Sequence, residues 1–205
     1  MYRPPALEIT DQTALATFAR RHPFATLITS WEGNLEVSHI PLLCDVQPLR
    51  VRGHVARANP QASHLAHRCP LRMIFHGPHR YVSPDGSPAA PLLPTWNYAA
   101  VHGKGWARVL SDDDARGLLH DLVERLERGR ERPWHLGLAG ELVDQLFPEI
   151  VAFEVEELSL EGRLKLTRDQ NLQDWGSAVE ALSGTNDRVE REILALLKMQ
   201  GPPRG

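Results

Sequence analysis

The stretch LRVRGHVARANPQ, residues 49–61, contains the alternation of apolar and polar side chains that indicates a β-rich fold. Leu49, Val51 and Val55 share one face of the predicted strand, and the arginines and the histidine share the other. Gly53 stands in the apolar row, where a glycine predicts a bulge or a close neighbour. The first part of the stretch is therefore predicted to be a strand with one apolar face.

The second part of the stretch predicts a turn into a short helix. Asn59 is a favoured helix cap and Pro60 a favoured first helical residue, so the helix is expected to run towards Leu65. Its first N–H groups are expected to point back at Arg57. A helix start beside a guanidinium attracts phosphate. The alternative is that Arg57 is a solvated residue in a connecting turn.

Comparable strand patterns occur on both sides of this stretch. Strands are predicted at residues 24–29, 35–40, 71–75, 80–83, 95–110, 150–155 and 158–166. Turns are expected at Gly77-Pro78 and around Glu161-Gly162, and the proline-rich segment 84–94 is expected to be a loop. Six or more short strands, interrupted by helices rather than alternating with them, predict a mainly β fold with peripheral α-helices, closed as a β-barrel.

Helices are predicted where apolar residues repeat every three or four positions. Thr10 or Asp11 can cap a first helix, and Ser111 with Asp114 forms a capping box at the start of a long one. Two more helices are predicted at residues 139–146 and 189–197.

Length, net charge and cysteine content limit the class of protein to which this chain can belong. The chain has 205 residues, a formal net charge of -3 and two cysteines. This length suits one domain with one good core and an appended element. Cys44 and Cys69 form no metal-binding or redox pair, and no charged-then-apolar leader precedes Arg3. No apolar run approaches the roughly 20 residues that cross a bilayer. We therefore expect a cytoplasmic protein with no membrane partner.

The segment PTWNYAAVHGKGWARVL, residues 94–110, presents flat aromatic surface and an amide. In an extended chain Trp96 and Tyr98 lie on one face, and Thr95 and Asn97 lie on the other. Such groups suit a planar heterocycle. The alternative is that the aromatics fill a barrel end or a subunit interface.

Several long motifs, in register, resemble a known family. The chain contains HPFATLITS, GHVARANPQ, IFHGPHRYVSP, PTWNYAAVHGKGWARV, RPW and IVAFEVEELSLEGRLKLT. This order is similar to that of the PaiB-like family of FMN-binding negative transcriptional regulators. The resemblance implies an FMN-binding split β-barrel related to pyridoxamine phosphate oxidase. Its motifs place this split-barrel domain at residues 1–185, which leaves an amphipathic helix and tail at residues 186–205. It also implies a homodimer with the flavin at the subunit interface, acting as a flavin-dependent regulator or a weak oxidoreductase.

The resemblance also implies which residues bind the cofactor. It assigns Arg57 and Asn59 to the flavin phosphate. It also implies that Lys165 supplies a second positive charge. His39 and His54 are expected to line neighbouring strands.

Aromatic residues are implied near the flavin ring. The resemblance assigns Trp96, Asn97 and Tyr98 to the ring or to the dimer pocket. The chain departs from the family at residues 85–90, where relatives carry an aromatic-rich stretch with a lysine, and at Ala62, where they carry an aromatic residue. Each lost aromatic contact weakens a stack on the ring by about 1 kcal/mol.

The histidines of the chain bear on two ligands other than FMN, heme and a metal ion. Some PaiB-like sequences resemble heme-dependent piperazate synthases, so heme b is the alternative cofactor, with one imidazole as its axial ligand. The candidate ligands are His54, His76, His79 and His102. A metal site is not predicted, because the pair His64 and His67 has no carboxylate or thiolate at ligand spacing.

A regulator that acts on DNA without catalysis is the remaining alternative. The last helix lies in NDRVEREILALLKMQ, residues 186–200. Its charges nearly cancel and no helix-turn-helix partner precedes it, so it is predicted to pack or to contact a dimer partner rather than to bind DNA.

Overall fold

Strands dominate the part of the chain that the computed structural model describes, residues 7–83, 93–166 and 172–202. The strands are β1 (Glu8–Ile9), β2 (Phe24–Trp31), β3 (Asn34–Pro41), β4 (Leu43–Val46), β5 (Leu49–Ala56), β6 (Pro70–Val82), β7 (Thr95–Val109) and β8 (Ile150–Lys165). The helices are α1 (Gln12–Arg21), α2 (Gln61–Ala66), α3 (Asp112–Glu127), α4 (Gly140–Leu146), α5 (Leu172–Leu182) and α6 (Arg188–Gln200). The predicted mainly β architecture with helices is confirmed. Of the helices described, none is long and apolar enough to cross a membrane.

Hydrogen bonds order the strands as β3-β2-β6-β7-β8-β5-β4, and β1 pairs with β8. β2 and β3 form a hairpin and pair antiparallel from Phe24 opposite Pro41 to Trp31 opposite Asn34. β5 pairs antiparallel with both β4 and β8. The strand of the opening stretch therefore has a hydrogen-bonded neighbour on each side.

Backbone contacts divide the chain into two compact units, each built from separate segments. The terminal unit lies within residues 1–15, 76–101 and 161–205, and the central unit within residues 16–75 and 102–160. Each of the long strands β6, β7 and β8 contributes residues to both units. The predicted boundary after residue 185 stays a prediction.

The core of the central unit packs α3 against strands. Leu118 and Leu122 of α3 cluster with Leu43 of β4 and Ala152 of β8. Burial of a leucine side chain stabilises the fold by about 1.5–3 kcal/mol. The predicted cap is present, because the Ser111 hydroxyl accepts the N–H three residues further on, at 3.2 Å. α3 is thus fixed by its apolar stripe and by its first turn.

Gly53 of β5 packs tightly against two apolar side chains. A β-carbon at this position would collide with the side chain of Leu42 and would stand 3.3 Å from the ring of Phe153. The predicted close neighbour is confirmed. Only a residue without a side chain leaves both groups in place.

A charged network joins α3 to β4 and β5. Arg52 is 6% exposed, and its Nη2 donates to the carboxylates of Asp45 and Asp121, both at 3.0 Å. Arg125 of α3 donates to Asp45 and to the carbonyl of Cys44, both at 3.3 Å. Because a buried charge is costly without partners, these bonds explain how the polar face of β5 tolerates burial.

The terminal unit pairs β1 with β8 and packs two helices together. Ile9 of β1 lies opposite Gly162 of β8. The predicted last helix is confirmed as α6, which buries Ile193 and Leu197 and contacts α5. α5 was not predicted. Gly176 lies in its middle, and glycine weakens a helical pattern.

Two long strands correct the predicted turns. β6 continues through Gly77-Pro78 and β8 continues through Glu161-Gly162. Turn signals are local, whereas cross-strand packing extends through them. Glu157 of β8 has a φ of 51°, so this strand contains an irregularity but no turn. Most of the predicted loop, residues 84–92, lies outside the described residues.

Candidate functional site

The predicted strand-to-helix corner is present, and Asn59 organises it. Its Oδ1 accepts the N–H of Gln61 at 2.9 Å, and α2 begins at that glutamine. The N–H groups of Ala62 and Ser63 donate to the carbonyls of Asn59 and Pro60. These three N–H groups of the first turn are therefore bonded within the chain, and the expectation that they are open to a phosphate is wrong.

Gln61 fixes α2 to the β2–β3 hairpin. It is fully buried, and its Nε2 lies within hydrogen-bond distance of Leu27 O (3.3 Å), Thr29 Oγ1 (3.2 Å) and Glu36 O (3.1 Å). The Thr29 hydroxyl lies 2.9 Å from Nδ1 of His64, one turn further along α2. Sequence reasoning missed this network, for which the only local signal was a polar residue at a helix start.

Two predicted site residues, Asn59 and His39, bond to the same hairpin. Asn59 Nδ2 donates to Ser38 Oγ of β3 at 2.9 Å. His39 is exposed, and its Nδ1 lies 3.1 Å from Thr26 Oγ1 of β2. The structure thus brings Asn59 to the strand that carries His39. Both side-chain groups of Asn59 already have partners within the chain.

Arg57 lines a cavity of about 260 Å³ in the central unit. Its Nε donates to the carbonyl of Pro148 at 2.5 Å and its Nη2 to the carbonyl of Ile150 at 2.9 Å. A guanidinium has five N–H donors. Three of them have no acceptor within the described part of the chain, although Asp112 lines the same cavity. Two carbonyls therefore fix the guanidinium of Arg57, and its remaining N–H donors are available to a ligand.

His54 of β5 has a buried nitrogen, Nδ1, with no hydrogen-bond partner among the residues that the structure describes. Burial lowers the pKa of this imidazole below its ordinary value of 6.5. At pH 7 the ring is therefore neutral, with one donor and one acceptor nitrogen. A neutral ring with an unused buried nitrogen is suited to hydrogen-bond a ligand.

Aromatic and cationic side chains meet on one face of the terminal unit, which we call the outer aromatic face. Trp96 is 52% exposed, and its ring centroid lies 5.8 Å from that of His79 and 6.2 Å from that of Tyr81. The guanidinium carbon of Arg163 lies 5.5 Å from the ring centroid of Tyr98. The face comprises His79, Tyr81, Trp96, Tyr98 and Arg163.

Asn97 and Lys165 have other surroundings. Asn97 is 4% exposed and points away from Trp96, because side chains alternate along β7. Its Oδ1 has no partner among the described residues. Lys165 donates from Nζ to Thr95 Oγ1 at 2.5 Å. Of the three predicted ring neighbours, the two aromatics therefore share a face and the amide does not.

His64 and His67 contact other side chains of the fold, and both cysteine thiols are buried. The ring of His67 stacks on Trp31 with centroids 4.9 Å apart, and His64 belongs to the Gln61 network. Within residues 7–83, 93–166 and 172–202, no group of three or more histidines, cysteines or acids could hold a metal ion. Burial raises the pKa of the Cys44 thiol and of the Cys69 thiol to about 11 each, so neither is a thiolate at pH 7.

The chain is similar to a known family and to a curated relative. A family model described as "Putative FMN-binding domain" matches residues 1–157. The protease synthase and sporulation protein PAI 2 of Bacillus subtilis is 27% identical over 202 residues, which is 97% of this chain and 97% of that protein.

Two solved structures resemble this fold. The flavocytochrome Anf3 from Azotobacter vinelandii superposes with a TM-score of 0.60 and 17% identity, covering 80% of this chain and 72% of that one. The FAD and heme binding protein from Mycobacterium smegmatis superposes with a TM-score of 0.58 and 17% identity, covering 77% and 72%. These similarities confirm the expected split-barrel fold.

Proposed function

The chain belongs to the PaiB-like family of FMN-binding domains, and on this premise we propose that it is a flavin-binding split-barrel protein. Its cofactor is FMN, and it acts as a flavin-dependent regulator or as a weak oxidoreductase. The observation that carries the proposal is the guanidinium of Arg57, which lines a cavity, is fixed by two carbonyls and keeps donors for an anion.

The phosphate end of FMN requires fixed cationic donors, and Arg57 provides them. Hydrogen bonds to charged groups contribute about 1.5–3 kcal/mol. The carbonyls of Pro148 and Ile150 orient the guanidinium before the ligand arrives, which reduces the entropy lost on binding. Asn59 supports the same corner indirectly, because it fixes the start of α2.

The flavin ring system requires hydrogen-bond partners and flat apolar neighbours. The neutral His54 ring carries a buried nitrogen that has no partner among the described residues, which suits the polar edge of such a ring. For Trp96 and Tyr98 we propose contact with the ring or with a partner subunit. Lys165 contributes positive charge, and Asn97 offers a buried oxygen that no group in the described part of the chain bonds. His39 is assigned to the same cofactor site.

Bound FMN supplies electron-transfer chemistry, and the protein supplies binding, orientation and electrostatics. We propose that two copies of the chain form a homodimer in the cytoplasm and that the flavin lies at their interface. The PAI 2 protein is named as a sporulation protein. A regulatory role that does not require catalysis is therefore part of the proposal.

The visible absorbance spectrum of freshly purified protein tests the cofactor. We expect a flavin band, and added FMN at about 100 times its dissociation constant should raise the free energy of unfolding by about 2.7 kcal/mol. Colourless protein that gains no thermal stability with FMN would contradict the proposal.

The same spectrum tests the second cofactor, since one solved neighbour is named as an FAD and heme binding protein and the other as a flavocytochrome. A Soret band without a flavin band, lost on substitution of one of His54, His76, His79 and His102, would replace FMN by heme b as the proposed cofactor. A mobility-shift assay at low salt against the upstream DNA of its own gene tests direct regulation.

A further inference from the structure

A second cavity lies in the central unit, and none of the residues that line it is assigned to the flavin. It is a groove of about 520 Å³ that is lined by parts of β2, β3, β6, β7 and β8. Its apolar wall includes Ile28, Leu35 and Leu71. Sites for small molecules usually have volumes of about 300–1,000 Å³ and are mainly apolar with a few placed polar groups. The groove has the size and the lining of such a site.

Two cations of the groove lack partners. Arg72 of β6 and Lys104 of β7 are exposed and line the groove, and neither side chain has an ion pair or a hydrogen bond within the described part of the chain. Glu157 also lines the groove, but it is paired with Arg68 at 3.0 Å, and the adjacent Glu156 is paired with Arg68 at 3.1 Å. The groove therefore has an excess of positive charge.

An aromatic ring completes the groove. Trp106 is 38% exposed, and the guanidinium carbon of Arg68 lies 5.7 Å from its ring centroid. Gly105 holds this part of β7 close to β8, since a β-carbon there would collide with Glu156 O. Its neighbours Lys104 and Trp106 are thereby positioned at the groove. The position of the indole thus depends on a backbone contact that only glycine permits.

We propose that this groove binds a small aromatic carboxylate of one or two rings. The carboxylate pairs with Arg72 and Lys104, which have no acid of their own to neutralise them. The aromatic ring packs against Trp106 and the apolar wall. A phosphate alone would leave that wall exposed to water, and an uncharged aromatic would leave both cations unpaired. This groove shares no lining residue with the proposed flavin site.

Calorimetric titration of the full chain tests this proposal, and the protein keeps any cofactor with which it is purified. The probe is 2-naphthoate, and 2-naphthamide is its uncharged counterpart. We expect saturable binding of one naphthoate per chain and at least about fivefold weaker binding of the amide. An exposed ion pair contributes up to about 1 kcal/mol, which is about fivefold in affinity. Arg72→Gln and Lys104→Gln should each weaken naphthoate binding by about that factor.

Matched controls make the outcome decisive. Arg132→Gln removes an exposed arginine that lines neither cavity and should leave the naphthoate affinity unchanged. Naphthoate should also leave the spectrum of any bound flavin unchanged, which separates this groove from the flavin site. The proposal is overturned if naphthoate does not saturate, if the amide binds equally well, if naphthoate displaces the flavin, or if Arg132→Gln weakens binding as much as Arg72→Gln. Thermal melting of each variant checks that it is folded.

Discussion

The strand-to-helix corner of the central unit and the outer aromatic face of the terminal unit differ in how their functional groups are used. At the corner, Asn59 and Gln61 bond to the hairpin and to the backbone of α2, and Gln61 is fully buried. On the outer aromatic face, Trp96 and Tyr81 are about half exposed. The corner has a network that holds the fold, whereas the face has surface that is open to a ligand or a partner.

This difference separates polar residues that build a site from those that contact a ligand. The corner motif looks like a phosphate site in the sequence, yet its amide groups are occupied by Asn59 and Pro60. Arg57 is the residue of the corner that keeps spare donors. Substitution of Asn59 or Gln61 is therefore predicted to lower stability more than FMN affinity, whereas substitution of Arg57 is predicted to lower FMN affinity.

Gln61→Ala is expected to have the largest effect. It leaves the carbonyls of Leu27 and Glu36 without this donor and creates a cavity, so we expect a loss of about 3 kcal/mol in the free energy of unfolding. Urea denaturation measures it. Asn97→Ala is the matched control from β7 and should cost less, because the Asn97 oxygen has no partner among the described residues. Equal losses of unfolding free energy in the two variants would contradict a specific stabilising role for the hydrogen bonds of Gln61.

Arg57→Ala is expected to weaken FMN binding by about 1.5–3 kcal/mol, because it removes charge-assisted hydrogen bonds to the phosphate. Titration of cofactor-free protein with FMN measures the change. The unfolding free energy is measured in parallel, since the substitution also removes two bonds to carbonyls. Arg132→Ala serves as the control. An unchanged FMN affinity would assign the phosphate to another cation.

Gly53→Ala tests the close packing that leads into the corner. The new methyl group collides with the Leu42 side chain, so we expect a loss of about 1–3 kcal/mol in stability. Gly117→Ala in α3 is the matched control, since nothing lies within 4 Å of a β-carbon there. That change should stabilise α3 by up to about 1 kcal/mol. Losses of the same size at both positions would contradict the packing account.

The smallest effect concerns pH and His54. Its pKa is lowered in the folded state by burial, so the unfolded chain binds this proton more readily. Above pH 6.5 both states are neutral and His54 has no effect. As pH falls below 6.5 the folded state loses stability, until the folded pKa is passed. Unfolding free energies at pH 7.5 and 5.5 should therefore differ less in His54→Gln than in the natural chain, and parallel losses would contradict this.

Much of the fold was predictable because its signals are local. Asp11 caps α1 by accepting two N–H groups, Ser111 caps α3, and the turn at Glu32-Gly33 joins β2 to β3. The signals failed where neighbouring strands decide the outcome. Gly77-Pro78 is an apparent turn, yet β6 continues through it.

The site was predictable only in part. The sequence indicates that Trp96 and Tyr98 share a face, because alternation along a strand is local. It does not indicate that Arg57 bonds to carbonyls about ninety residues away in the chain. The groove with Arg72 and Lys104 was also not predicted, because its walls come from five strands.

The central claim is that the chain binds FMN, and calorimetric titration of cofactor-free protein with FMN tests it most directly. We predict saturation at one FMN per chain, with weaker binding in Arg57→Ala than in Arg132→Ala. Folded protein that shows no saturable heat with FMN would contradict the claim.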